Sequence, residues 1–165
     1  MVTNQMTKSK TKRTLAGERL TSVMLDLFRL NSGLLTAGDR LVAGLGLTSA
    51  RWQILGAITR AERPQPVAWI ARDLGANRQN VQRIVNDLAE EGLVSFEANP
   101  HHRRAQLVVL TVKGRQAFDA AMGLQAPWVN RLSDGLAVEE IEVAQRVVVK
   151  LMKNLEGMSE ADDLD

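Results

Sequence analysis

Four polar side chains in the stretch "GANRQNVQRIVNDLAEEGLV", residues 75–94, are of the types that read base edges. On a helix at about 100° per residue, Gln79, Gln82, Arg83 and Asn86 gather on one side and Val81, Ile84, Val85 and Leu88 on the other. Ordinary solvated helix faces are built from Lys and Glu, whereas this one offers amides and a guanidinium. A guanidinium can take O6 and N7 of guanine as a pair, and a Gln or Asn amide can take N6 and N7 of adenine. Asn77 stands where an N-cap belongs, with Arg78 and Asn80 on the same first turn, so the free N–H groups there suit a phosphate. Taken alone, this helix is explained equally well as a solvated face with incidental amides. The segment after it shifts the balance: the tip "NPHHRRAQ" sets His102, Arg103 and Arg104 in a turn between two β-prone runs. A basic hairpin beside such a helix can lie along a nucleic-acid backbone or enter the minor groove.

Those side chains are useful only if other elements hold them outward. Apolar residues recur at helical spacing over residues 18–45, from Leu20 through Leu27 and Leu34 to Val42. The break "GLGLTS" then supplies Thr48 as the N-cap of a second helix carrying Trp52, Leu55 and Ile58 on one face. Pro64 and Pro66 end it, residues 67–74 make a short third helix closed by Gly75, and the amide-bearing helix stops at Gly92. Residues 93–97 and 106–111 form a hairpin. A long helix comes next from Val112, which Pro127 is expected to bend or interrupt, and a last one spans residues 138–155, burying Ile141, Val148, Leu151 and Leu155. Helix-turn-helix followed by a hairpin is the winged-helix arrangement. The expected fold is mainly α: a winged helix-turn-helix core at 47–111 with a two-stranded β wing, and long N- and C-terminal helices at 15–46 and 112–156 forming a dimerisation region. A winged helix alone cannot cover the apolar faces of those helices, which predicts a homodimer.

Composition narrows the function classes. The chain has no cysteine, which excludes disulfides, thiolate metal sites and thiol-based switching. His101 and His102 are the only histidines, and neighbours at a hairpin tip chelate poorly. No serine has a nucleophile-elbow context and no carboxylate pair stands out, so neither an enzyme nor a cofactor is expected. The longest uncharged run, residues 120–130, is far short of the roughly 20 residues of a membrane span, and no apolar leader opens the chain, so the expected location is cytoplasmic. Net charge is only +2, yet residues 51–115 hold ten basic and six acidic side chains. A basic middle is compatible with a polyanion partner. Residues 1–14 read as a disordered basic tail and 157–165 as a disordered acidic one.

From about residue 15 to 156 the chain resembles the MarR family of transcriptional regulators. The resemblance is carried by "LTSARWQILGAI", "IARDLGANRQNVQRIVNDLAEEGLVSF" and "NPHHRRAQLVVLTVKGR" between the flanking long helices. It implies a homodimer on a pseudo-palindromic operator in double-stranded DNA, usually repressing, and often released by a small aromatic or anionic effector. It also suggests an effector pocket at Met24, Phe28 and Trp52, positions that core packing explains as well. Asn31 interrupts the apolar face between Leu27 and Leu34, as a polar group at a wet seam or a ligand site would. One departure stands out: where the family's wing commonly carries an Asp two residues before the minor-groove Arg, this chain has His102 before Arg104. The rival reading is a winged helix used as a protein-interaction module without specific DNA binding.

Overall fold

The computed structural model describes residues 12–102 and 104–162. Its elements run α1 (Leu15–Val42), a 3-10 turn (Ala43–Leu45), α2 (Ser49–Arg60), β1 (Gln65–Pro66), α3 (Val67–Asp73), α4 (Arg78–Glu90), β2 (Val94–Glu97), β3 (Leu107–Leu110), α5 (Val112–Leu132) and α6 (Val138–Asp162). The chain is thus mainly helical around a small antiparallel sheet, the winged-helix arrangement expected. It divides into two compact units, Met1–Leu124 and Gln125–Asp165. The first unit holds α1 together with the winged helix; the break falls inside α5.

Local chemistry explains most boundaries. Thr14 caps α1 by accepting from the Gly17 N–H at 3.0 Å, and Thr48 caps α2 by accepting from the Arg51 N–H at 3.3 Å. Asn77 caps α4 twice, its Oδ1 accepting from the N–H of Gln79 at 2.9 Å and of Asn80 at 3.2 Å. At its other end Gly92 takes φ +71°, which frees its N–H for the Ala89 carbonyl and that of Leu93 for the Leu88 carbonyl. This reversal aims the chain from α4 straight into β2.

The core of the first unit sits between α2, α3, α4 and the sheet. Leu55, Ile70, Val85, Leu88 and Val108 are completely buried, and Val81 and Ile84 almost so. The apolar stripe of α4 therefore faces inward as its spacing dictates, each such side chain contributing on the order of 1.5–3 kcal/mol. α1 is pinned to α2 by Ser49, the one buried polar residue among the described residues. Its N–H donates to Asp39 Oδ1 at 2.6 Å and its hydroxyl donates to the Leu35 carbonyl at 2.8 Å.

Several expectations need correction. The sheet has three strands in the order β1-β3-β2, because Gln65 and Pro66 pair with Val108 and Leu107. Pro66, expected only to help end α2, thus lies in a strand, two residues long and at the sheet edge, where a missing N–H is tolerated. Pro127 does not interrupt α5, which continues to Leu132. The carbonyl of Gly123 loses its helical partner there, but both residues are exposed and solvent reaches it. α6 runs on to Asp162, so residues 157–162 are helical; 1–11 and 163–165 lie outside the described residues. Finally, Ile141, Val148 and Leu155 are exposed by 44%, 39% and 64%, not buried. A two-helix unit has no third layer to cover them.

Candidate nucleic-acid interface

The first turns of α4 carry every residue of the expected reading face. Arg78, Gln79, Asn80, Arg83 and Asn86 are exposed and Gln82 is half-buried, while Asn77 caps the helix beneath them. Their polar groups bond chiefly to one another. Gln82 Nε2 donates to Asn86 Oδ1 at 3.0 Å, Arg83 Nη2 donates to Asn80 Oδ1 at 3.1 Å, and Arg83 Nη1 lies 3.5 Å from Asp87 Oδ2. Exposed pairs of this kind are worth about 0–1 kcal/mol, so they hold the side chains in order yet give way cheaply to a better partner. The row can therefore exchange these bonds for ones to a partner laid against it.

The wing is braced by a residue that sequence reasoning passed over. Asn99 Nδ2 donates across the loop to the Ala105 carbonyl at 2.9 Å, and its Oδ1 accepts from the His101 N–H at 3.0 Å. The His102 N–H donates to the Asn99 carbonyl at 3.3 Å, and the Ala105 N–H to the His102 carbonyl at 3.0 Å. Asn followed by Pro100 is a turn-initiating pair, and that signal would have found it. The loop is therefore shaped without an Asp at position 102. His102 and Arg104 are exposed, and Arg104 has no ion pair among the described residues; Arg103 lies outside them.

A second missed group fixes the far end of α4. Arg51 on α2 is mostly buried and places Nη2 2.5 Å from Glu91 Oε1, while Nη1 donates to the Gly46 carbonyl at 3.0 Å. From the start of α5, Lys113 Nζ donates to the Glu91 carbonyl at 2.7 Å. Thr111 Oγ1 lies 2.7 Å from the Gly92 carbonyl, to which it donates, and accepts from the Gly114 N–H at 3.0 Å. Gly114 packs so tightly that an added Cβ would run into the Leu93 carbonyl. The motif "LTVKGR" is thus a clasp joining α5 to the end of α4.

The four effector-pocket candidates are spread over two helices. Met24, Phe28 and Asn31 follow one another along the exposed side of α1, with Phe28 67% exposed; Trp52 is half-buried on α2 against the core. No enclosed cavity surrounds a side chain as open as Phe28. No single helix is long and apolar enough to cross a membrane among the described residues.

Comparisons with known proteins agree with this geometry. The model of the MarR family matches residues 45–105, the stretch from the turn before α2 to the wing. An uncharacterised protein of Mycobacterium tuberculosis (strain H37Rv) is 37% identical over 119 residues, 72% of this chain and 82% of that protein. The transcriptional activatory protein BadR of Rhodopseudomonas palustris is 25% identical over 81% of this chain and 78% of its own length. Among solved structures, the M. tuberculosis transcriptional regulator MosR in complex with DNA superposes with TM-score 0.70 at 22% identity, covering 82% of this chain and 96% of MosR.

Proposed function

Because this chain belongs to the MarR family of winged-helix transcription regulators, we propose that it acts as a homodimer that reads a pseudo-palindromic operator, represses transcription there, and is released by a small aromatic or anionic effector. One observation carries the sequence-specific part of this reading: the amide and guanidinium row of Gln79, Gln82, Arg83 and Asn86 stands exposed on the first turns of α4. Helix-turn-helix proteins insert that part of the second helix in the major groove. Arg104 on the braced wing reaches the adjoining minor groove, where a narrow A·T-rich tract attracts a guanidinium. Asn77, Arg78, Asn80, His102 and Arg103 contact the backbone around them.

Support for the dimer comes from apolar side chains left open to solvent. Val23, Met24, Leu25 and Phe28 on α1, and Ile141, Val143 and Val147 on α6, are each between 44% and 67% exposed. Large apolar side chains left open in this number point to a covering partner, and a second copy covering them would set two reading helices on one face of the duplex. In such a dimer Met24, Phe28, Asn31 and Trp52 line the effector site, roofed by residues that are bare in one chain. The effector acts only as far as it prefers a spacing of the reading helices that misfits the operator.

The deciding experiment selects fragments of the encoding genome with the purified protein and measures their binding across salt concentrations. The expected motif has inverted half-sites about 10 base pairs apart, or a multiple of that, and affinity that falls steeply with salt. A reporter driven from the selected fragment should lose output when the protein is supplied; a gain would reverse the regulatory sign. A chain that shows no duplex affinity but captures one protein partner tightly would instead be an interaction module.

A further inference from the structure

α1 is 28 residues long, yet Gly38 and Val42, both near its end, are its only buried residues. It meets the rest of its unit chiefly at α2 and at the 3-10 turn that follows it. A rod of about 42 Å standing on so short a base is a lever, and the fit of the base sets its inclination. That base is close and polar. Gly38 lies so near the start of α2 that an added Cβ would run into the Ser49 hydroxyl oxygen, which is itself tied to the Leu35 carbonyl at 2.8 Å. One residue on, Asp39 reaches across and its Oδ1 accepts from the Ser49 N–H at 2.6 Å. The first free N–H of α2 is thus met by another helix, while Thr48 serves only that of Arg51.

The joint continues to the reading helix. On the same first turn of α2 as Ser49, Arg51 donates to the carbonyl of Gly46, which closes the 3-10 turn, and sets its guanidinium against Glu91, the C-cap of α4. Val42 of α1 shares its core with Leu55 of α2 and Leu88 of α4. We propose that Ser49 and Asp39 are positioning residues for DNA recognition: they fix the inclination of α1 to α4, and with it the spacing of half-sites that the dimer accepts. The spacing rests on the dimeric DNA-binding reading above, because only a second copy turns an angle within one chain into a distance between two reading helices. A tilt at the joint would then act twice, once in each chain.

The inclination can be measured without DNA. The chain has no cysteine, so introduced ones carry spin labels at known places. Asp26→Cys on α1 with Gln79→Cys on α4, diluted into unlabelled chain, gives the distance within one chain by pulsed electron resonance. Asp26 stands about 20 Å along α1 from Asp39, so a tilt of about 10° moves it by about 3–4 Å. The natural chain should give a narrow distribution, and Asp39→Ala or Gly38→Ala should displace or broaden it by about that amount. Asp39→Asn keeps an acceptor for the Ser49 N–H and should restore it. Ser49→Ala added to Gly38→Ala should do so too, since the two Cβ atoms would then sit at an ordinary contact of 3.5 Å. If Gly38→Ala does not fold, the two Asp39 variants decide alone.

The spacing is read on the operator selected from the genome and on two copies of it, with one base pair added or removed between the half-sites. Each such step shifts one half-site by about 3.4 Å and turns it by about 35°, which a fixed joint cannot follow and a loose one can. In anisotropy titrations of the unlabelled full chain, the natural protein should prefer its own spacing by about tenfold or more. Asp39→Ala should narrow that preference to about threefold or less, and Asp39→Asn should keep it. A merely structural loss would weaken all three duplexes alike and leave their ratios unchanged. Unchanged ratios in Asp39→Ala, or label distances unmoved in every variant that folds, would overturn the inference. Distances that move in a chain without duplex affinity support the joint and overturn the DNA reading; duplex binding with distances unmoved does the reverse.

Discussion

The two ends of α4 are built on opposite terms. At the first turns, Gln82 bonds to Asn86 and Arg83 to Asn80, and with Gln79 they leave their outer edges to solvent. At the last turn, Glu91 and Gly92 are held from three directions, by Arg51 of α2, by Lys113 and by Thr111 beside Gly114. The cooperative packing lies under the whole helix, through Val81, Ile84, Val85 and Leu88. The contrast teaches where precision is generated: the anchored end sets the position and axis of the helix, and the open end keeps its side chains available. A polar face need not be rigid in itself if the rod that carries it is fixed at the other end.

Breaking the anchor should cost most. Gly114→Val drives a side chain into the Leu93 carbonyl, and backbone cannot move aside there without parting α5 from β2. We expect a loss of about 3 kcal/mol, seen as a fall in melting temperature of roughly 6–12 °C. An unchanged melting curve would mean that the clasp is not tight. Changes at the open end should do the reverse. Arg83→Ala or Gln79→Ala should leave stability within about 0.5 kcal/mol yet weaken specific binding by about 1–3 kcal/mol per contact, with random DNA little affected. Equal losses on both DNAs in fluorescence anisotropy would mean that these residues touch only phosphates.

Two further substitutions sharpen the comparison. Thr111→Val removes the cap of the Gly114 N–H and the bond to the Gly92 carbonyl, so about 1–2 kcal/mol of stability should go, while Thr111→Ser keeps most of it. Chemical denaturation of the pair reads the difference directly, and equal midpoints would dismiss the hydroxyl. Asn77→Ala should cost about 1 kcal/mol by uncapping the open end, with Asn77→Asp close to the natural chain in stability. If uncapping harms operator binding more than folding, the N–H groups of that turn are themselves held against a phosphate. The smallest effect is expected at the wing, where Arg104→Ala should cost about 1 kcal/mol, and more on operators with A·T-rich flanks than with G·C-rich ones. Flank-independent losses would place Arg104 on the backbone instead.

Much of the first unit was legible because local chemistry and global packing agree there. Thr48 and Asn77 are cap residues that cap, Gly92 ends the helix it should end, and the stripe from Val81 to Leu88 is buried as its spacing requires. The missed contacts share a different cause, since most of them depend on a residue distant in sequence. β1 exists only because β3 returns beside it, and a two-residue run holding a proline carries no strand pattern of its own. The clasp joins Thr111 to Gly92 and Lys113 to Glu91, contacts invisible to periodicity. Asn99 was the exception, a local turn signal that was present and unread. In α6 the apolar spacing identified a helix correctly but not whether anything in the same chain would cover it.

The shortness of β1 has a consequence for how this protein behaves when crowded. Sheets end in rows of unspent N–H and C=O groups, and a long flat border of that kind templates the addition of strands from other molecules. Here the border beside β3 is only Gln65 and Pro66, and proline cannot donate to an incoming strand. A newcomer finds too little ladder to grip. The same two residues that complete the fold thus act as a blunt stop, letting the chain carry a β-hairpin at high local concentration with that flank closed to edge-to-edge polymerisation.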